Sequence, residues 1–504
     1  MHGRVGRTVP LAGVSVLLLL IPLTGTAPAA PGDVTVSQVA DIHSGAPGSN
    51  PQELINAGGT LLFSATDGIN GTELWKSNGG PLGPGGTEMV ANIESGSGSS
   101  TPGELTNIGG TVFFRAFTST HGSEVWKISP PYTTPVEVEN INPTGSSNPS
   151  DLTDVNGTLF FGADDGTNGQ ELWKSVPPYD AASTDIVKDI NGSGDSSPNG
   201  LFNANGTLLF DADDGGGSAL WKSESPYDAA HTTKLPGGVS FPAPFANGSG
   251  AVLFGAVVGG DFELWKMAGP PYTTPAQVAN INTGGDSDIG EMVSVDGTVF
   301  FSATDGGTTV GRELWKSVPP YDAASTTPLD INPGTGDSDA AQLRRVGTSV
   351  FLSAGDGVHA IEPWISNGGP VGGGTNLVQD INPSGGSNPF GYTDVNGTVF
   401  FAAFTGPGPE LYRSTGSGAQ QVSTQFSSGS APNQLTNVGG TLFFVATGGS
   451  TPTGQELWKA TIEPNPPPPA PATPSTPAPS KRKCKKKHKR AVSAKKKKCK
   501  KKGK

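Results

Sequence analysis

The stretch Gly157–Ser175, "GTLFFGADDGTNGQELWKS", decides the fold. Thr158–Ala163 is β-branched and aromatic, the composition of a strand. Asp164–Gly169 ("DDGTNG") is a turn, and Glu171–Ser175 begins a second strand. Just upstream, Leu152–Val155 ("LTDV") is joined to the first strand by Asn156–Gly157, two residues that tolerate positive φ and suit a tight hairpin. Downstream, Asp185–Ile190 ("DIVKDI") is a fourth strand-like segment. Phe160 and Phe161 are adjacent, so a strand points them to opposite faces. Both faces of this small sheet must therefore be covered.

The unit recurs. "ELWKS" also stands at Glu73–Ser77 and Glu313–Ser317, and "ELWK" at Glu263–Lys266 and Glu456–Lys459. Trp75, Trp126, Trp173, Trp221, Trp265, Trp315, Trp364, Tyr412 and Trp458 mark nine units, spaced by 51, 47, 48, 44, 50, 49, 48 and 46 residues. Four short strands per repeat of this length predict an all-β chain, a β-propeller of nine four-stranded blades over 34–463. The ends of the array are complementary. Val34–Ile42 is a spare fourth strand ahead of the first unit, and the last unit stops after Trp458–Lys459 without one. Pairing them would close the ring and remove an open edge. The fifth unit has lost its "DIN" and "NGT" signals, which leaves an eight-bladed ring or an open arc as alternatives.

The repeat "GTLFFGADDGTNGQELWKS…IVKDIN" (Gly157–Asn191) resembles the bacterial repeats named for an ELWxxDGT consensus. The resemblance runs from Val34 to Lys459. It implies a secreted or surface propeller-like protein and brings no catalytic residues. Five units depart from the consensus after the Trp, with inserts such as Val176–Thr184 ("VPPYDAAST") and Ser129–Pro135 ("SPPYTTP"), whereas Asn78–Gly80 and Asn367–Gly369 stay close to it.

The two termini differ from the repeats. Residues 1–29 read as a signal peptide: Arg4 and Arg7, the apolar run Val14–Leu23, then Ala27-x-Ala29, with cleavage expected after Ala29. The apolar run is short for a membrane span, and no later segment is long and apolar enough to be one. Residues 464–480 are a Pro-rich linker, expected to be extended. Residues 481–504 hold 16 Lys and Arg and no acid, and are predicted to be a disordered tail. Without the tail and the signal, 14 cations face 44 acids, so the body carries about −30. Both cysteines, Cys484 and Cys499, lie in the tail, where they are disulfide candidates within or between chains.

Repetition argues against chemistry at the conserved letters of the unit. A Trp once per blade reads as packing. The glutamates Glu73, Glu124, Glu171, Glu263, Glu313, Glu362, Glu410 and Glu456 read as a blade-to-blade or turn hydrogen bond, because acid–base catalysis needs two unlike carboxylates in one pocket. The "NGT" and "NGS" sequons at Asn70, Asn156, Asn205, Asn247 and Asn396 fall where hairpin turns are required. "DINGSG" and "DINPSG" set oxygens at Asp189, Asn191, Asp380 and Asn382 and make these weak structural-calcium candidates, without the closing bidentate Glu. No other cofactor is expected. Ligand-site candidates are the positions where one copy breaks the pattern: Arg115 and Asp211 in a second strand, Arg344 and Arg345 in a first strand.

These features predict a secreted or cell-surface binding or scaffold propeller. Its basic tail would engage an anionic cell-wall or surface polymer, and its face an unidentified ligand or protein. The alternatives are a secreted polysaccharide-active enzyme with its site at the channel, and a purely structural surface protein.

Overall fold

A computed structural model of the chain describes residues 32–463, apart from 46, 193, 407, 423–428 and 449–453. The N-terminal segment read above as a signal peptide, the Pro-rich segment, the Lys-rich tail, Cys484 and Cys499 lie outside the described residues.

Nine four-stranded antiparallel sheets make a nine-bladed β-propeller. The third blade shows the plan: Ser150–Val155, Thr158–Asp164, Gln170–Ser175 and Thr184–Lys188, paired in that order. Helix is confined to two single 3-10 turns, Ala181–Ser183 and Ala323–Ser325, among the described residues. The fifth unit forms a blade like the others, from Phe245–Asn247, Ala251–Val258, Asp261–Ala268 and Ala276–Ala279.

The ninth blade is composite. Asn433–Val438, Thr441–Thr447 and Gln455–Ile462 take Val34–Ala40 as their fourth strand, with Val36 opposite Ala460 and Gln38 opposite Trp458. The first strands of blades 9 and 1 touch like those of other neighbouring blades. Asn56 Nδ2 donates to the Asn437 carbonyl and Thr436 Oγ1 to that of Leu54, so the ring is closed.

The core lies between blades. Nine hydrophobic clusters fill nine seams, one for each pair of neighbours. Phe160 packs toward blade 4 and Phe161 toward blade 2, as their alternation requires. Leu172 likewise faces blade 4, and Trp173 faces blade 2. Burying each such side chain is worth about 1.5–3 kcal/mol.

The polar letters of the repeat join these blades. Glu171, fully buried, accepts from Ile190 N (2.8 Å), Ser196 N (3.1 Å) and Ser196 Oγ (2.6 Å). It thereby fixes the loop leading from blade 3 into blade 4. The same arrangement holds at Glu73, with Ile93 and Ser100, and at Glu124, with Ile141 and Ser147. Glu456 applies it to Ile42 and Ser49 across the closure. Lys174 Nζ donates to the Pro226 and Tyr227 carbonyls of the next blade; Lys127, Lys266 and Lys459 make the equivalent link. Ser175 Oγ pairs with Thr184 Oγ1 of the fourth strand. Each letter of "ELWKS" thus has a structural partner.

Two details differ from the sequence reading. Asp189 and Asp380 lie just beyond the fourth strands rather than inside them. The chain leaves the ladder there so that the next residue, Ile190 or Ile381, can turn its N–H to Glu171 or Glu362. The Pro-Tyr inserts are also more than spacers. Tyr132, Tyr179, Tyr227 and Tyr321 donate to the carbonyls of Gly110, Gly157, Gly206 and Gly297, the 1–2 turn of their own blade.

Candidate binding surface along the channel

The first strands lie nearest the axis and touch one another around the ring. Seven contain an irregularity near their start, where the register slips, as between Ser150 and Thr153. Glu53, Glu104, Asp151, Gln342 and Gln434 occupy this point with φ between 53° and 60°, and Gly200 and Gly391 take the same turn. A side chain rarely adopts that conformation unless its surroundings hold it. Here the side chain itself reaches the neighbouring blade. Glu104 accepts from Asp151 N, Asp151 from Leu201 N and Gln342 from Gly391 N; Glu291 of blade 6, which lacks the bulge, accepts from Leu343 N.

Two further rings line the first strands. Thr106, Thr153, Thr393 and Thr436 donate to leucine carbonyls of the following blade: Leu152, Leu201, Leu435 and Leu54. One residue on, Asn107, Asn203 and Asn437 accept from the turn glycine of their own hairpin and donate to the first strand of the preceding blade. An amide can do both at once, having a donor and an acceptor.

Against this pattern the four singled-out residues separate, sitting in three non-adjacent blades. Arg115, half-buried in the second strand of blade 2, donates from Nη1 to the Pro149 carbonyl at the entry to blade 3. Asp211 is buried in blade 4; its carboxyl accepts from Ser218 Oγ (2.5 Å) and Asn199 Nδ2 (3.4 Å), and burial raises its pKa. Arg345 stands in the Asn ring. Its Nε donates to the Gly347 carbonyl, Nη1 to that of Ser294, and Nη2 pairs with Asp296 at 2.8 Å. Arg344 stands in the Thr ring, exposed, with no hydrogen bond or ion pair to a described residue. Both arginines border a depression of about 540 Å³ with Met292, Val293, Leu343, Gly347 and Asp394.

The calcium candidates serve their loops. Asn191 Nδ2 donates to the Asp195 carbonyl and Asn382 Nδ2 to that of Gly386, each spanning a loop. Among the described residues, no group of three or more His, Cys, Asp or Glu is gathered as metal ligands. The four described histidines have partners: His43 with Gly48 O, His121 with Glu137, His231 with Asp228 and His359 with Asp356. Two carboxyls titrate well above their usual range. Burial pushes Glu313 up to about 7; Glu139 also reaches about 7, through burial and then the nearby charges of Asp185 and Glu124.

No family model matches the chain, and no curated protein matches it. Solved structures overlap it at low identity. A prolyl endopeptidase structure has 10% identity and a TM-score of 0.41, covering 80% of this chain and 55% of its own. A puromycin hydrolase complex has 13% identity and a TM-score of 0.38, covering 76% and 61%. The β-propeller domain of the Trilobed protease from Pyrococcus furiosus, described as having an open velcro topology, has 10% identity and a TM-score of 0.36, covering 64% and 97%. The chain thus spans less than two thirds of the first two structures' length.

Proposed function

We propose that the protein is a secreted or cell-surface binding propeller, tethered to an anionic surface polymer by its basic tail. The observation that carries this reading is the division of labour along the chain. The repeated Glu, Trp, Lys and Ser build and join the blades, while 16 cations are concentrated in 24 residues that belong to no repeat. Such a run attracts polyanions through charge, in a salt-sensitive way. The signal-like N-terminus supports an exported protein, and the resemblance to ELWxxDGT repeats supports a bacterial surface role. No helix among the described residues is long and apolar enough to cross a membrane, and in this reading the tail supplies the attachment.

Deleting 481–504 tests the tether. The full chain is expected to stay on cells at low salt and to wash off as salt rises. The truncated chain should be released at every salt concentration. Equal retention of the two would overturn the proposal.

A further inference from the structure

We propose that Arg344 is the anchor of a binding site for a small monocarboxylate that also carries a hydroxyl or ammonium donor. The site is the depression on the axial side of blades 6 to 8, and it is independent of the tail.

Arg344 replaces a residue whose role in other blades is known from the geometry. Thr106, Thr153, Thr393 and Thr436 each spend their hydroxyl on the next blade. Arg344 makes no such bond to blade 8 and stays exposed. Its neighbour Arg345 has donors committed to Gly347, Ser294 and Asp296. The first strands carry no other cation; Glu53, Glu104, Asp151, Asp154 and Asp394 are acidic. One unpaired guanidinium therefore borders the depression, with the Asp394 carboxylate on its rim.

That environment selects the ligand class. A guanidinium presents a planar fork that matches a carboxylate through two parallel hydrogen bonds. The Asp394 carboxylate repels a dianion more than a monoanion, which disfavours phosphate. Met292, Val293 and Leu343 add apolar contacts along the depression. Asp394 Oδ1 accepts from Gly397 N at 2.7 Å, and its other oxygen can accept from a ligand donor. A carboxylate for Arg344 and a hydroxyl or ammonium for Asp394 describe a sugar acid or an amino acid.

The test is isothermal titration of the full chain with galacturonate, leucine, their methyl esters and inorganic phosphate. Arg344→Thr and Asp394→Asn install residues that other blades already carry at these places, so both variants should fold. At least one free acid is expected to bind. Its affinity should fall about tenfold or more in Arg344→Thr, and less in Asp394→Asn. The esters should not bind. Which acid binds identifies the donor as hydroxyl or ammonium. No binding of either acid, equal binding to Arg344→Thr (as attraction to the tail would give), or a preference for phosphate would overturn the proposal.

Discussion

The repeated glutamate shows how one residue type becomes obligatory. Its carboxylate is buried, which raises its pKa at Glu73, Glu124, Glu171, Glu263, Glu313 and Glu456, yet Glu171 accepts from three donors of one loop, of which Ile190 N has no second acceptor among the described residues while the Ser196 pair shares the Gln170 carbonyl. Blade 4 provides an internal control. It has Ala219 in place of the glutamate, and the loop that follows it has lost "DIN". There the strand closes directly on the loop, Leu220 N donating to the Val239 carbonyl and Leu235 N to that of Leu220. Carboxylate and loop motif disappear together. Glu171→Ala should therefore destabilise the protein by about 2–4 kcal/mol, since buried donors left unpaired cost about 1–3 kcal/mol each, and Glu171→Gln should cost less. The shift of the urea midpoint measures both. The pH dependence follows from the same burial. A carboxyl with a raised folded-state pKa stabilises most below its ordinary 4.5, and loses that contribution as pH rises through about 7. The melting temperature should thus fall between pH 5.5 and 8.5. Glu139, whose Oε2 is buried without a partner, offers a local check: Glu139→Gln should raise the melting temperature at pH 8.5 and change it little at pH 5.5.

At the scale of the strand, much of the fold was legible because period-2 alternation and turn residues mark it. Phe160–Phe161 implied covered faces, Asn156–Gly157 a hairpin, and Val34–Ile42 a missing partner; each has its place in the structure. The bulged first strands were not legible, since a register slip leaves no periodic trace and Glu53, Glu104 and Asp151 look like ordinary surface acids. The role of Tyr132, Tyr179, Tyr227 and Tyr321 was missed because the partner glycine lies 21 to 24 residues upstream, beyond the reach of local pattern. Arg344 and Arg345 look alike in sequence, and only the neighbours' hydrogen bonds separate the committed guanidinium from the unpaired one. The closing strand makes a prediction of its own. Removing 32–40 uncovers the edge of Gln455–Ile462, and the shortened chain should self-associate through it. Size-exclusion chromatography would show this, and a peptide spanning 32–42 added in trans should reverse it.

For the whole molecule, closure makes every seam equivalent. Trp75 lies in the seam between blades 9 and 1, and Trp315 in that between blades 5 and 6. Both indoles are buried and donate to an alanine carbonyl, Ala65 and Ala303. In an open arc the 9–1 seam would be absent and Trp75→Ala would cost little. In the ring, Trp75→Ala and Trp315→Ala should each cost about 3–5 kcal/mol. Urea denaturation of the two variants, read side by side, decides between the forms. Charge also acts at this scale: a body near −30 repels polyanions, so in the proposed function an anionic polymer would be met by the tail.

The composite ninth blade has a consequence in time. Val34 meets Ile462 and Asp33 meets Glu463, so the first part of the propeller to be synthesised must wait for the last before it has a partner. Eight blades can pair their strands as they emerge; the ring becomes a ring only in one terminal step that joins segments more than 400 residues apart. A chain interrupted late in synthesis, or cut within its last repeat, would hold most of its sheets and yet have two sticky ends. Completion is therefore a checkpoint for the whole molecule, and proteases and other copies of the chain compete with it until it is passed.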